Sequence, residues 1–222
     1  MQINADLSLP ARALLDELPW QPSPVPGIDR RMLDRDGGEV ARATSVVRYA
    51  AGGVFPGHEH ALGEEFLVLD GVFQDEHGDY PAGSYVRNPP GSNHEPRSDA
   101  GCVLFVKLRQ FDRADRARVR IDTRARPLVT DEHGWARAEL HRYGTEVVSI
   151  LRIRPDAPAR DVDWPGGAEM LVLDGALADA SDLYPAGTWL RLPAGSRQRA
   201  LAAPEGARCY LKTGHLPPRQ SA

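Results

Sequence analysis

The sequence predicts an all-β protein built as two tandem barrels of one pattern. Three observations carry that expectation. Short apolar runs alternate with turns drawn from 21 glycines and 19 prolines. A stretch of the sequence returns at a fixed offset of 104 residues. Four residues of metal-ligand type lie on the first copy and are missing from the second.

Taken in chain order, residues 11–18 (ARALLDEL) have helical spacing, and Pro19 ends the run. The stretch from Pro19 to Pro26 holds four prolines and reads as an extended connector. The first barrel with its linker is expected over 27–126, its repeat spanning roughly 27–110. Strand signals fall at 44–49, 66–69, 84–87 and 103–108. The second barrel is expected over 127–222, with runs at 148–153, 170–173 and 209–212 and a loose tail near Pro217 and Pro218. Many short strands between Gly/Pro turns indicate a sandwich or barrel.

The offset needs no gap across its core. GEEFLVLDG (63–71) returns as GAEMLVLDG (167–175), and YPAGSYVR (80–87) as YPAGTWLR (184–191). Ser45 falls on Ser149, Asp75 on Asp179 and Gly91 on Gly195. A period near 100 residues is too long for a solenoid unit and suits a small domain.

Composition excludes several partners. Net charge is −4, and phosphate backbones need a clustered positive surface, so nucleic acid is not expected. The one basic stretch, 109–126, alternates with Asp112, Asp115 and Asp122 and reads as a solvated linker face. The start has no basic head and no long apolar run, so neither a secretory signal nor a membrane span is expected. Cys102 and Cys209 are not equivalent under the offset. They are expected to be buried free thiols of a cytoplasmic protein.

The candidate ligands are His58, His60, Glu64 and His94. On a strand, alternate side chains share a face, so His58 and His60 point the same way, and Glu64, Phe66 and Val68 keep that parity. The NPPGSN turn before His94 is able to return a strand end to the same place. Three imidazole nitrogens and one carboxylate suit zinc, iron, nickel or manganese. The other four histidines, His77, His133, His141 and His215, read as ordinary hydrogen-bonded residues. Tyr49, Phe66, Tyr85 and Arg87 are candidates to approach the site.

Glu64 is preferred over its neighbour Glu65 because of the second copy. There the ligand positions read Val162, Trp164, Ala168 and Gln198. Glu64 disappears together with the histidines, whereas Glu65 persists as Glu169. Glu65 is therefore expected to make a hydrogen bond or salt bridge that both scaffolds share.

Two motifs carry a resemblance. Gly52, His58, His60, Glu64 and Gly71 meet the pattern G-x5-H-x-H-x3-E-x6-G, and Gly83, Pro89, Gly91 and His94 meet G-x5-P-x-G-x2-H. The chain thereby resembles the cupin superfamily, with Ser98 where the second motif usually ends in Asn. The resemblance implies two tandem cupin double-stranded β-helix barrels, a bicupin, with metal at His58, His60, Glu64 and His94. The stretch 64–94 is most similar to the cupin domain of ChrR-type anti-sigma factors. In that family this domain binds zinc and is needed for the response to singlet oxygen or organic peroxide. The family's sigma-binding part carries its own Cys/His zinc site. This sequence has no Cys before 102 and no His before 58, so a sigma factor is not expected as a partner.

The expectation is one divalent metal ion per chain, zinc foremost, in a module that responds to an oxidant or small molecule. The alternative is a metal-dependent enzyme, a dioxygenase or isomerase of oxygenated small molecules, using the same site. No residue is singled out as catalytic, no organic cofactor is expected, and a homo-oligomer is compatible with the sequence.

Overall fold

A computed structural model describes residues 1–155 and 157–218. The chain divides into two units, Met1–Ala5 with Leu18–Ala125, and Asp6–Glu17 with Arg126–Ala222. Both are antiparallel β structures with the same strand order, so the offset read from the sequence is a repeat of architecture.

In the first unit the main sheet runs Gln2–Ile3, Ile28–Gly37, Ala41–Tyr49, Cys102–Leu108, Glu64–Asp75, Ser84–Asn88 and Val119–Asp122. A separate hairpin-like pair joins His58–His60 to Ser92–His94. In the second unit the corresponding sheet runs Val129–Thr130, Trp135–Tyr143, Glu146–Ile153, Ala207–Thr213, Ala168–Ala178, Thr188–Leu192 and Ala11–Leu14. Its small pair joins Arg160–Trp164 to Ser196–Leu201.

A β-bulge is repeated with the fold. The Glu64–Asp75 strand slips register opposite Val103 and Leu104, and Ala168–Ala178 does so between Val172 and Asp174. Next to each slip stands a glycine with positive φ, Gly71 at 70° and Gly175 at 69°. A Cβ there would lie 2.1 Å from Gly101 O or 2.0 Å from Gly206 O. No other residue fits such an approach, which explains the glycine that closes the first motif in both copies.

Alternation sorts the long strand into two faces. Phe66 and Val68 join Phe73, Tyr80, Val86, Leu104 and Val106 in the interior of the first barrel. Each such side chain contributes about 1.5–3 kcal/mol on burial, so this interior, and not the polar site beside it, holds the barrel together. Glu65 points the other way. Its carboxylate accepts from Tyr85 Oη (2.7 Å) and Arg87 Nη1 (2.6 Å), and Arg87 Nη2 donates to Asp115 (2.6 Å). All of these are buried.

Two expectations are corrected. Residues 11–18 are not a helix. Ala11–Leu14 is a strand on the edge of Thr188–Leu192, and Leu15–Glu17 is a single 3-10 turn. A helix that short is marginal alone, whereas the open sheet edge supplies a ladder of partners, from Ala11 opposite Arg191 to Leu14 opposite Thr188. The segment Asp6–Glu17 accordingly belongs to the second unit, whereas Met1–Ala5 belongs to the first. The 109–126 stretch is also more than a solvated linker. Phe111 is buried with the Arg87 guanidinium 3.9 Å from its ring centroid, and Val119–Asp122 pairs with Ser84–Asn88. Of the tail, residues 219–222 lie outside the described residues. No helix among the described residues is long and apolar enough to cross a membrane.

Candidate metal centre

The site is assembled by the small strand pair and the start of the long strand. His58 lies opposite His94 and His60 opposite Ser92 in the ladder. The turn before His94 closes through the Ser92 N–H to Pro89 O bond (3.0 Å). It also packs against the first strand through the Gly91 N–H to His60 O bond (2.9 Å). Gly91 takes φ 82°, the left-handed conformation this turn requires. Glu64 begins the Glu64–Asp75 strand with its side chain on the interior face. One ligand atom from each of His58, His60, Glu64 and His94 lies within 4.8 Å of every other. His60, Glu64 and His94 are buried, and His58 is half-buried.

The hydrogen-bond network fixes which imidazole nitrogen is free. His58 Nδ1 donates to Pro56 O (3.0 Å), since a carbonyl can only accept. Ser92 Oγ spends its proton on Pro89 O (2.6 Å), so it accepts from His60 Nδ1 (3.1 Å). His94 Nδ1 donates to Asp75 Oδ2 (3.4 Å). In its neutral form each of the three rings therefore presents an Nε2 lone pair. His58 and His60 Nε2 face each other at 3.2 Å. Glu64 Oε2 lies 3.3 Å from His60 Nε2 and 3.5 Å from His94 Nε2. His94 Nε2 is buried and has no hydrogen-bond partner.

Lone pairs and a carboxylate at these separations repel unless a cation stands among them. Donor atoms about 2.1 Å from one ion lie roughly 3.0 Å apart at right angles and roughly 3.4 Å apart at tetrahedral angles. Three of the separations, at 3.2–3.5 Å, are close to those of such a shell, and all four atoms lie within 4.8 Å of one another. Outer partners hold each ligand in place, as metal sites require. Asn88 Nδ2 donates to Glu64 Oε2 (3.3 Å), and Asp75 Oδ1 accepts from His77 N–H (2.8 Å) and Tyr80 Oη (3.1 Å).

Electrostatics act in opposite directions on the two buried rings. Burial lowers the His60 pKa, and the nearby His94, His58 and Arg118 charges add to that, against Glu64. Burial also opposes charge on His94, but the Asp75 hydrogen bond and the Glu64 charge outweigh it and raise its pKa. Burial would raise Asp75, yet bonds from His94, His77 and Tyr80 bring its pKa below the usual carboxylate value. Tyr80 is pushed up to about 12 by burial and by Asp75, so it stays a proton donor.

The expected bystanders separate by face. Phe66 lines the interior, and Tyr49 stacks edge-on to Phe73 with centroids 5.8 Å apart. Tyr85 and Arg87 turn away to Glu65, so they do not approach the ligands. Ser98, which replaces the motif's usual Asn, is buried and donates to Val72 O (2.6 Å). The sequence reading did not assign Asp75, Asn88, Ser92 or Tyr80 to the site. The available signal was the return of Asp75 as Asp179, Tyr80 as Tyr184 and Ser92 as Ser196.

A family model for the ChrR cupin-like domain matches residues 10–112 and again residues 116–217. The chain belongs to the ChrR cupin-like family. Its two copies are the two barrels, and the ChrR cupin-like chain is thus a bicupin. No curated protein sequence matches it. Among solved structures it is similar to a candidate dioxygenase from Nostoc punctiforme PCC 73102, with TM-score 0.77 and 13% identity over 97% of this chain and 88% of that one. It is similar to YlbA from E. coli, with TM-score 0.71 and 17% identity over 100% and 96% of the two chains. It is also similar to oxalate decarboxylase from Bacillus subtilis, a structure concerned with Mn(II) centres, with TM-score 0.61 and 12% identity over 95% and 78%. At these identities the likeness is one of fold.

In the second ChrR cupin-like barrel the ligand positions are filled differently. Trp164 Nε1 donates to Gln198 Oε1 (3.0 Å), and Gln198 Nε2 donates to Asp179 Oδ2 (3.0 Å). Trp164 is part of the apolar core, and Val162 packs against it.

Proposed function

We propose that the first barrel binds one divalent ion, zinc foremost, through His58, His60, Glu64 and His94, in a module that responds to an oxidant or small molecule. The observation that carries this reading is the set of three Nε2 lone pairs, each fixed by a bond at the opposite nitrogen, converging on one carboxylate. Such a constellation is costly without a cation at its centre. The family match supports the response role.

A bound zinc ion supplies Lewis acidity and no redox chemistry of its own. The chain's residues do the rest. Asp75, Ser92 and the Pro56 carbonyl orient the imidazoles, and Asn88 steadies the carboxylate. The apolar interior behind them excludes water from one side.

A second reading, a metal-dependent dioxygenase or isomerase, is favoured by a different observation. The site opens to a depression lined by His58, His94, Gly57, Asn93 and three glutamates, so a small molecule has access to the ligand shell. The two readings separate on metal analysis of protein purified without added metal. One zinc per chain, released on exposure to peroxide, supports the response module. One iron or manganese per chain with oxygen consumption supports the enzyme. Metal content near zero, with His60→Ala indistinguishable from the native chain, defeats both.

A further inference from the structure

The depression over the site is acidic, and its acids sit next to the ligands in sequence. Glu59 separates His58 from His60, Glu95 follows His94, and Glu76 follows Asp75, the partner of His94. All three line the same opening as His58 and His94. All three are exposed, so their charges are not needed for packing. Glu76 Oε2 accepts the Glu95 N–H at 2.9 Å, which fixes that carboxylate at the rim and keeps it ionised. On the floor is His94, 3% exposed, its Nε2 without a hydrogen-bond partner. The opening therefore leads to a buried imidazole nitrogen that makes no hydrogen bond.

The positive charges in reach are few. Arg118 acts on His60 and Tyr80, and Arg120 acts on Tyr80, 5.5 Å from its ring centroid. His77 lies against Glu76 at 3.5 Å, and Arg97 against Asp99 at 3.7 Å. A divalent ion beside the Glu64 and Asp75 carboxylates leaves no net charge, and Arg118 and Arg120 add two positive charges. Three glutamates outweigh both.

We infer that the entrance to this centre selects by charge. It admits neutral or cationic molecules that carry a nitrogen or hydroxyl donor, and it turns away small anions, carboxylates included. The inference rests on the metal reading above and deepens it by naming the class of molecule that reaches the ion. It also sets this site apart from one built for a dianion such as oxalate, despite the shared fold.

The test uses the full chain loaded with cobalt(II), whose visible spectrum reports ligands that reach the metal. Cobalt stoichiometry and circular dichroism are measured first, on the native chain and on E59Q/E76Q/E95Q. Azide and imidazole are then titrated into each. At low ionic strength azide is expected to bind about tenfold more tightly to the triple variant, as three unit charges across a wet opening imply. High ionic strength should erase that gain, and imidazole should bind the two proteins within about twofold. Equal azide affinity in the two loaded proteins overturns the inference and leaves the metal reading standing. An equal gain for imidazole also overturns it, because the effect is then not one of charge. A native chain that takes up no cobalt defeats the metal reading itself, and the inference with it.

Discussion

Gln198 donates its side-chain N–H to Asp179 across 3.0 Å, in the place where His94 meets Asp75 in the first barrel. Tyr184 donates to the same Asp179 oxygen at 3.1 Å, as Tyr80 donates to Asp75. The second barrel thus keeps the outer half of the site and closes the inner half with a Trp164–Gln198–Asp179 chain. An indole N–H is a donor only, and Ala168 offers no side-chain oxygen, so the set of side-chain lone pairs seen in the first barrel is not reproduced.

The chain should therefore bind one ion, not two. Elemental analysis after saturation and desalting is expected to give about one metal per chain. A value near two, with the second ion assigned to the C-terminal barrel, contradicts the account of the replaced ligands.

Glu64→Gln and Glu65→Gln should differ in kind. Glu64→Gln removes a carboxylate from the ligand set and should weaken metal binding by more than roughly 100-fold, beyond the range for outer partners. Glu65→Gln should leave affinity nearly unchanged. It should lower unfolding free energy by about 2 kcal/mol, because Arg87 loses a buried charge partner. Chelator competition and urea unfolding separate the two effects. Loss of metal from Glu65→Gln alone would show that the wrong carboxylate was chosen.

Asp75→Asn should weaken metal binding by roughly 10- to 100-fold while the barrel stays folded. The amide is a poorer acceptor for His94 Nδ1–H and no longer offsets the charge on that ring. Asp179→Asn in the second barrel serves as control and should leave metal affinity unchanged. Equal effects of the two substitutions would mean that Asp75 acts on the fold and not on the ligand.

Neither cysteine should respond first to an oxidant. Both are buried free thiols, and burial raises both pKa values, Cys209 to about 12. A raised thiol pKa leaves less thiolate at any given pH than a free cysteine has. Alkylation of the native chain should be slow at pH 7 and still climbing at pH 9, whereas the unfolded chain should react as ordinary thiols do. Mass spectrometry after iodoacetamide treatment reads this directly. Rapid labelling of the native chain at pH 7 would move the oxidant-sensitive group from the metal shell to a thiol.

What the sequence determined by itself was whatever depends on periodicity and on comparison of the two copies. Strand alternation put His58, His60, Glu64, Phe66 and Val68 on one face. The loss of Glu64 but not Glu65 in the second copy separated a candidate ligand from a scaffold acid, and the Glu65–Arg87 pair agrees with that. Short strands and turn glycines gave the barrel class.

What only the tertiary structure decided depends on partners distant in sequence. Residues 11–18 carry helical spacing, yet the open edge of a strand more than 170 residues away fixes Ala11–Leu14 as a strand. The alternating charges of 109–126 look solvated, yet Asp115 is buried and accepts from Arg87 Nη2. The choice of Nε2 over Nδ1 at each histidine follows from Pro56, Ser92 and Asp75. Their positions relative to the rings are set by packing of the barrel and not by spacing along the chain.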